Sequence, residues 1–223
     1  MQIMHSALLV GPYDWEANLL PQDEFTARIA AFWKALPDSS VKGAVVYGDS
    51  RAHAELAYFT GFTPKVRNAM AFIPREGAPV VMVPGSRAGL STAKRLTWVE
   101  NVDLLSDPPQ AVLAWSKTLG GEATRLALLG APRLRGPMQQ SLIDALGAQR
   151  WVDAGATLSA LMRKKSPREL ALMRAACSQL EAAASELKKA QAEGASATRA
   201  VLRAEHAASR AGAQDVQALY SPD

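Results

Sequence analysis

The chain has 223 residues, of which 48% are apolar and 21% charged, the make-up of an ordinary globular protein with enough apolar side chains for a normal core. Its longest apolar runs, such as Gly43-Ala44-Val45-Val46-Tyr47, fall far short of the roughly 20 residues that cross a bilayer, which argues against a membrane-spanning helix. Net charge is +4 with acids spread among the bases, so apart from Arg163-Lys164-Lys165 and residues 133–135 the charges read as a solvated surface, not a nucleic-acid footprint.

No basic segment leading into an apolar one opens the chain, so no signal peptide is expected. The single cysteine, Cys177, can form no internal disulfide, which agrees with a reducing cytoplasm.

In chain order, residues 22–36 read as an amphipathic helix, with Phe25, Ile29, Phe32, Trp33 and Leu36 on one stripe and Pro21 at its start. Residues 43–47 form a buried-strand pattern that ends at Gly48-Asp49-Ser50, and residues 51–59 suit a short helix stopped by Gly61. A hairpin follows. Its strands are residues 68–73 and 79–83, and Gly77 supplies the positive φ of the turn.

Residues 86–95 suit a helix and residues 98–102 a strand. Residues 108–119 make a helix opened by Pro108-Pro109 and closed by Gly120-Gly121. Residues 125–130 and 151–153 are short strands, with a helix over residues 136–146 between them. Strands alternating with helices predict an α/β layered domain, and the hairpin makes its sheet mixed.

Near residue 160 the texture changes. Ser166-Pro167-Arg168-Glu169 is a helix start with capping serine, proline at the first turn and a glutamate that can reach back. Leu170, Met173, Cys177, Leu180 and Ala184 share one face of that helix, which Gly194 ends. A second helix over residues 196–211 has Val201 and Leu202 as its expected apolar contacts. No strand follows for the pair to cover.

Chemistry is sparse. His5, His53 and His206 show no metal-ligand spacing, and Cys177 sits in an apolar stripe without a base, which suits a small core residue. Ser50 and Ser86 lie outside any nucleophile-elbow pattern, and Asp23-Glu24 is explained by the helix dipole of the first turn. The strands are mostly aliphatic, without the aromatic and basic interleaving of an RNA-binding sheet.

One segment stands out: Tyr58-Phe59-Thr60-Gly61-Phe62 followed by Thr63-Pro64-Lys65-Val66-Arg67-Asn68. An arginine at the mouth of a hairpin can clamp a carboxylate bidentately, and an aromatic corner beside a solvated arginine accounts for the same residues. Residue chemistry leaves both readings open.

Three pieces together resemble the creatinase / aminopeptidase P / prolidase family. Tyr58-Phe59-Thr60-Gly61-Phe62 is similar to the family's YLTGF element. The hairpin from Ala69 through Val83-Pro84-Gly85 is similar to the strand pair after it. Arg163-Lys164-Lys165-Ser166-Pro167-Arg168-Glu169-Leu170 resembles the junction R-x-x-K-S-x-x-E-I into the catalytic domain, with the arginine one residue closer here.

The resemblance implies a creatinase-type N-terminal domain over residues 1–157, a mixed sheet flanked by helices of the ribonuclease-H-like type. Residues 158–223 would open a pita-bread catalytic domain whose metal-binding sheet lies beyond them. The family's ligands (two aspartates, a histidine and two glutamates) match no position here, so no cofactor is expected in this chain and a divalent metal in a partner's catalytic domain.

The same resemblance implies a non-metal-binding subunit of a split hydrolase that supports dimerisation and covers a partner's active site. Its partners would be a separate pita-bread subunit, further copies of itself, or both. Relatives cleave Xaa-Pro peptides or C–N bonds of small amidino compounds. A non-enzymatic scaffold derived from the family, or a truncated Xaa-Pro peptidase, is the alternative. In creatinase an arginine after the YLTGF-like element binds the substrate carboxylate across the dimer interface. That implies Arg67 as a substrate-binding residue, with Phe62 as a nearby wall.

Overall fold

In the computed structural model, residues 14–65, 67–121, 123–134, 136–214, 216 and 218 are described. His5, Val66, Arg135 and most of the segment after Gln214 lie outside them. The chain divides into two compact units at Lys164–Lys165. The first carries a six-stranded mixed sheet in the order β4-β3-β2-β1-β5-β6.

Its strands are β1 (Val41–Asp49), β2 (Asn68–Pro74), β3 (Val80–Val83), β4 (Asn101–Leu104), β5 (Arg125–Leu129) and β6 (Trp151–Asp153). Its helices are α1 (Gln22–Ala35), α2 (Ala54–Thr60), α3 (Arg87–Arg95), α4 (Pro108–Thr118), α5 (Gly136–Leu146) and α6 (Gly155–Arg163). The expected hairpin is present as β2 and β3, antiparallel with Ala71 opposite Val81, and Gly77 takes a φ of 110° in its turn. β1 pairs antiparallel with β2 and parallel with β5.

The period-2 alternation of the strands builds two cores. Ala44 and Val46 of β1, Ala69, Ala71 and Ile73 of β2, and Ala127 and Leu129 of β5 face one layer, with Phe25, Phe32 and Trp33 of α1, Leu56 and Phe59 of α2, and Leu158 of α6. Val45 and Tyr47, Met70 and Phe72, and Leu126 and Leu128 face the other, with Val112 of α4 and Leu142 and Leu146 of α5. Both faces of the central strands are therefore buried, which is why they read as continuous apolar runs.

Two elements of this unit differ from the sequence reading. The strand over residues 98–102 begins later, at Asn101. The Trp98 indole N–H donates to the carbonyl of Phe59 at 2.9 Å, the Thr97 hydroxyl donates to that of Thr60 at 2.5 Å, and Trp98 stacks on Phe25 at 5.9 Å. Those bonds fasten the segment to the end of α2 and keep it out of the ladder. Helix α6 was not expected from the sequence, because it opens on Gly155 without a side-chain cap; its Leu158 and Leu161 pack into the first core layer.

The second unit is a helical hairpin, α7 (Pro167–Ala192) and α8 (Ala197–Arg210). The capping box is formed: the Ser166 hydroxyl accepts from the Glu169 N–H at 3.1 Å, and Glu169 accepts from the Ser166 N–H at 2.9 Å. The helices bury Ala190 against Ala200, Ala204 and Ala208, small residues that let the backbones approach closely. The Arg203 guanidinium ties the hairpin to Glu186 and Glu193.

The expected stripe of α7 is present and faces solvent, and Cys177, which suited a small core residue, lies in the open with it. Leu170, Met173 and Leu180 are exposed, Leu180 by 63%. Leu202, expected as a contact, is 60% exposed, because the alanines take the helix–helix face. Among the described residues no helix is long and apolar enough to cross a membrane.

Candidate binding cleft

The residues of the YLTGF-like element split between two jobs. Phe59 and Thr60 are fully buried, and the Thr60 hydroxyl donates to the Leu56 carbonyl at 2.7 Å while accepting the Phe62 N–H at 3.1 Å. Arg28 of α1 lies over the rings of Tyr58 (4.8 Å) and Phe25 (5.2 Å), donates to the Tyr58 carbonyl at 3.1 Å and pairs with Glu24. The element is thus an aromatic corner that locks α2 to α1. Phe62 belongs to it, 6% exposed and part of the core.

Arg67 lies elsewhere, exposed on the approach to β2, and it is the one non-glycine residue among those described with a positive φ, at 61°. The Ser50 N–H donates to its carbonyl at 3.0 Å, which pins this left-handed turn to the end of β1. Arg67 lines a cleft of about 740 Å³ together with Tyr47, Asp49, Ser50, Arg51, Asn68, Arg133 and Met138. Phe62 is not among these residues, so Arg67 and Phe62 are not brought together.

The cleft opens at the carboxyl ends of β1 and β5. These strands are parallel neighbours, but α2 after β1 covers one face and α5 after β5 the other. The chains diverge there and leave a crevice, the usual ligand position of open α/β sheets. Gly130 closes the geometry at the end of β5: its φ is 76°, and a Cβ there would stand 2.5 Å from the Tyr47 carbonyl oxygen. Only glycine lets the chain turn this near β1 and bring Arg133 round to the cleft.

Three guanidinium groups from three separate segments, a serine and an asparagine give this cleft the chemistry of anion binding. Its acid, Asp49, is held at one oxygen: Oδ1 accepts the N–H groups of Arg51 and Ala52, both at 2.8 Å. Glu55 lies 3.9 Å from Arg133. Arg51 was not singled out in the sequence, and Arg133 stood out only as part of the basic residues 133–135. The available signal for Arg51 was its place one residue past a strand-ending Asp49-Ser50; the basic cluster of Arg133, beyond a separate strand, carried no sign that it shares a cleft with Arg67. Among the described residues no three His, Cys, Asp or Glu side chains group as a metal site would require.

The comparisons agree with this architecture. The family model for the Creatinase/Prolidase N-terminal domain matches residues 28–164. Among solved structures, the prolidase from Pyrococcus horikoshii OT3 is similar at a TM-score of 0.64 and 13% identity over 83% of this chain and 49% of that one. The Xaa-Pro dipeptidase from Bacillus anthracis gives 0.64 and 13% over 86% and 50%, and the dipeptidase PepE from Mycobacterium ulcerans 0.56 and 21% over 85% and 50%. The chain thus spans about half the length of these structures. None of the curated proteins matches it by sequence. A family model that covers most of the chain, on a mixed sheet of this order, shows that the chain belongs to the creatinase/prolidase N-terminal domain family.

Proposed function

We propose that this chain is the non-metal-binding subunit of a creatinase/prolidase-type hydrolase, docked through α7 on a separate pita-bread chain. There it supports dimerisation and covers the active site. The observation that carries the reading is the bare apolar seam of α7. Leu170, Met173, Cys177, Leu180, Ala184 and Leu187 follow one another at alternating steps of three and four, all exposed. That spacing keeps them on one side of the helix over roughly 25 Å, a surface suited to another packed element.

In the assembled enzyme the divalent metal belongs to the partner's domain, and Arg67 presents its guanidinium to the carboxylate of a peptide-like substrate. The single cysteine and the lack of a spanning helix among the described residues support a cytoplasmic setting for the pair.

Co-expression with a pita-bread chain carrying the five-ligand set tests this. The expected result is a stable complex that hydrolyses Xaa-Pro dipeptides faster than the partner alone. Leu180→Lys should prevent the complex. Arg67→Gln should keep it and raise KM about tenfold, the loss of one charge-assisted hydrogen-bonded contact. A chain that stays apart from the partner and leaves its rate unchanged refutes the proposal.

A further inference from the structure

We infer that the cleft of Arg51, Arg67 and Arg133 is an anion site in its own right, one that binds a small, multiply charged oxyanion, phosphate or carboxylate, in the free chain. The three arginines come from separate segments, after β1, before β2 and after β5, and line one cleft. Like charges gathered at one place repel unless a negative group lies among them.

This chain supplies little. Asp49 supplies one carboxylate, whose Oδ1 accepts two backbone N–H groups, and Glu55 a second, 3.9 Å from Arg133. Among the described residues no acid pairs with Arg51 or Arg67. Three guanidinium groups against these two carboxylates leave the cleft with an excess of positive charge, and the guanidinium fork matches the oxygen pair of a carboxylate or phosphate. Its volume of about 740 Å³ falls within the range of small-molecule sites, and Ser50 and Asn68 add neutral hydrogen-bonding groups.

Position supports the same conclusion. The cleft sits where parallel neighbours β1 and β5 send their chains to opposite faces, and Arg67 is held there with a φ of 61° by the Ser50 N–H. The inference shares Arg67 with the proposed subunit role, but it needs no partner, so the two fail separately.

Titration calorimetry of the full chain with pyrophosphate and with citrate at low ionic strength tests it. The expected result is saturable one-to-one binding of at least one probe, weakened tenfold or more by Arg67→Gln and by Arg51→Gln, and weakened by added salt. Lys94→Ala, an exposed charge on α3, should leave it unchanged. Binding of pyrophosphate alone identifies a phosphorylated ligand, and of citrate alone a polycarboxylate; both support the site. Far-ultraviolet circular dichroism confirms that each variant is folded, and Arg133→Gln serves in place of any that is not. No heat from either probe at millimolar concentration, or equal binding by the folded arginine variants, overturns the inference.

Discussion

Single side chains carry two kinds of burden here, and Arg28 and Arg67 exemplify them. Arg28 is 8% exposed, sandwiched by aromatic rings and bonded to the Tyr58 carbonyl. Arg28→Met keeps the length but removes those polar bonds, and should cost about 2–3 kcal/mol in urea denaturation. Arg67 shows the opposite economy. Its left-handed backbone disfavours any residue with a Cβ, so Arg67→Gly should raise stability by about 0.5–1 kcal/mol while abolishing anion binding. Asp38 responds to acid. The Ser40 hydroxyl and N–H, and then Arg125, hold its carboxyl below the usual carboxylate range. A depressed folded-state value stabilises above the unfolded pKa of about 4 and is lost as pH falls through the folded value. Urea midpoints compared at pH 5 and pH 3 should therefore fall less for Asp38→Asn than for the parent chain.

At the level of elements, the caps and turns decide where segments start and stop. Ser166→Ala should weaken α7 by about 1 kcal/mol, seen as faster amide exchange in its first turn. Gly130→Ala meets both a positive φ and the Tyr47 carbonyl, and should destabilise by about 2–3 kcal/mol. Elements with such local signals were legible in the sequence: the Pro108-Pro109 start of α4, the Gly77 turn of the hairpin, and the capping box of α7. Segments 98–102 and 155–163 were not, because tertiary bonds from Trp98 and core packing of Leu158 outweigh weak local preference. The cleft was half legible. Arg67 stood out beside its aromatic corner, whereas Arg133 reaches the cleft only through the pairing of β1 with β5. The apolar stripe of α7 was legible as a stripe, but Cys177 within it suited a core and is exposed. Periodicity says which residues share a face, not what covers it.

For the molecule as a whole, both core layers draw all their members from residues 15–162. A fragment of residues 13–164 should therefore fold alone, with a single cooperative melting transition and the anion affinity of the full chain. A broad, non-cooperative transition for the fragment would show that the helical hairpin is needed to complete it.

The pairing of β1 has a consequence during synthesis. Its antiparallel partner β2 follows within one short helix, but its parallel partner β5 lies beyond two further strands and two helices, with Val45 finally meeting Leu128. On the ribosome the β1–β2–β3 meander can close early, while the other side of β1 waits as a bare, apolar edge until β5 emerges. That interval is the chain's period of greatest exposure to mispairing. Chaperone dependence and aggregation in expression should follow substitutions that slow the arrival of β5, even where the finished fold is no less stable.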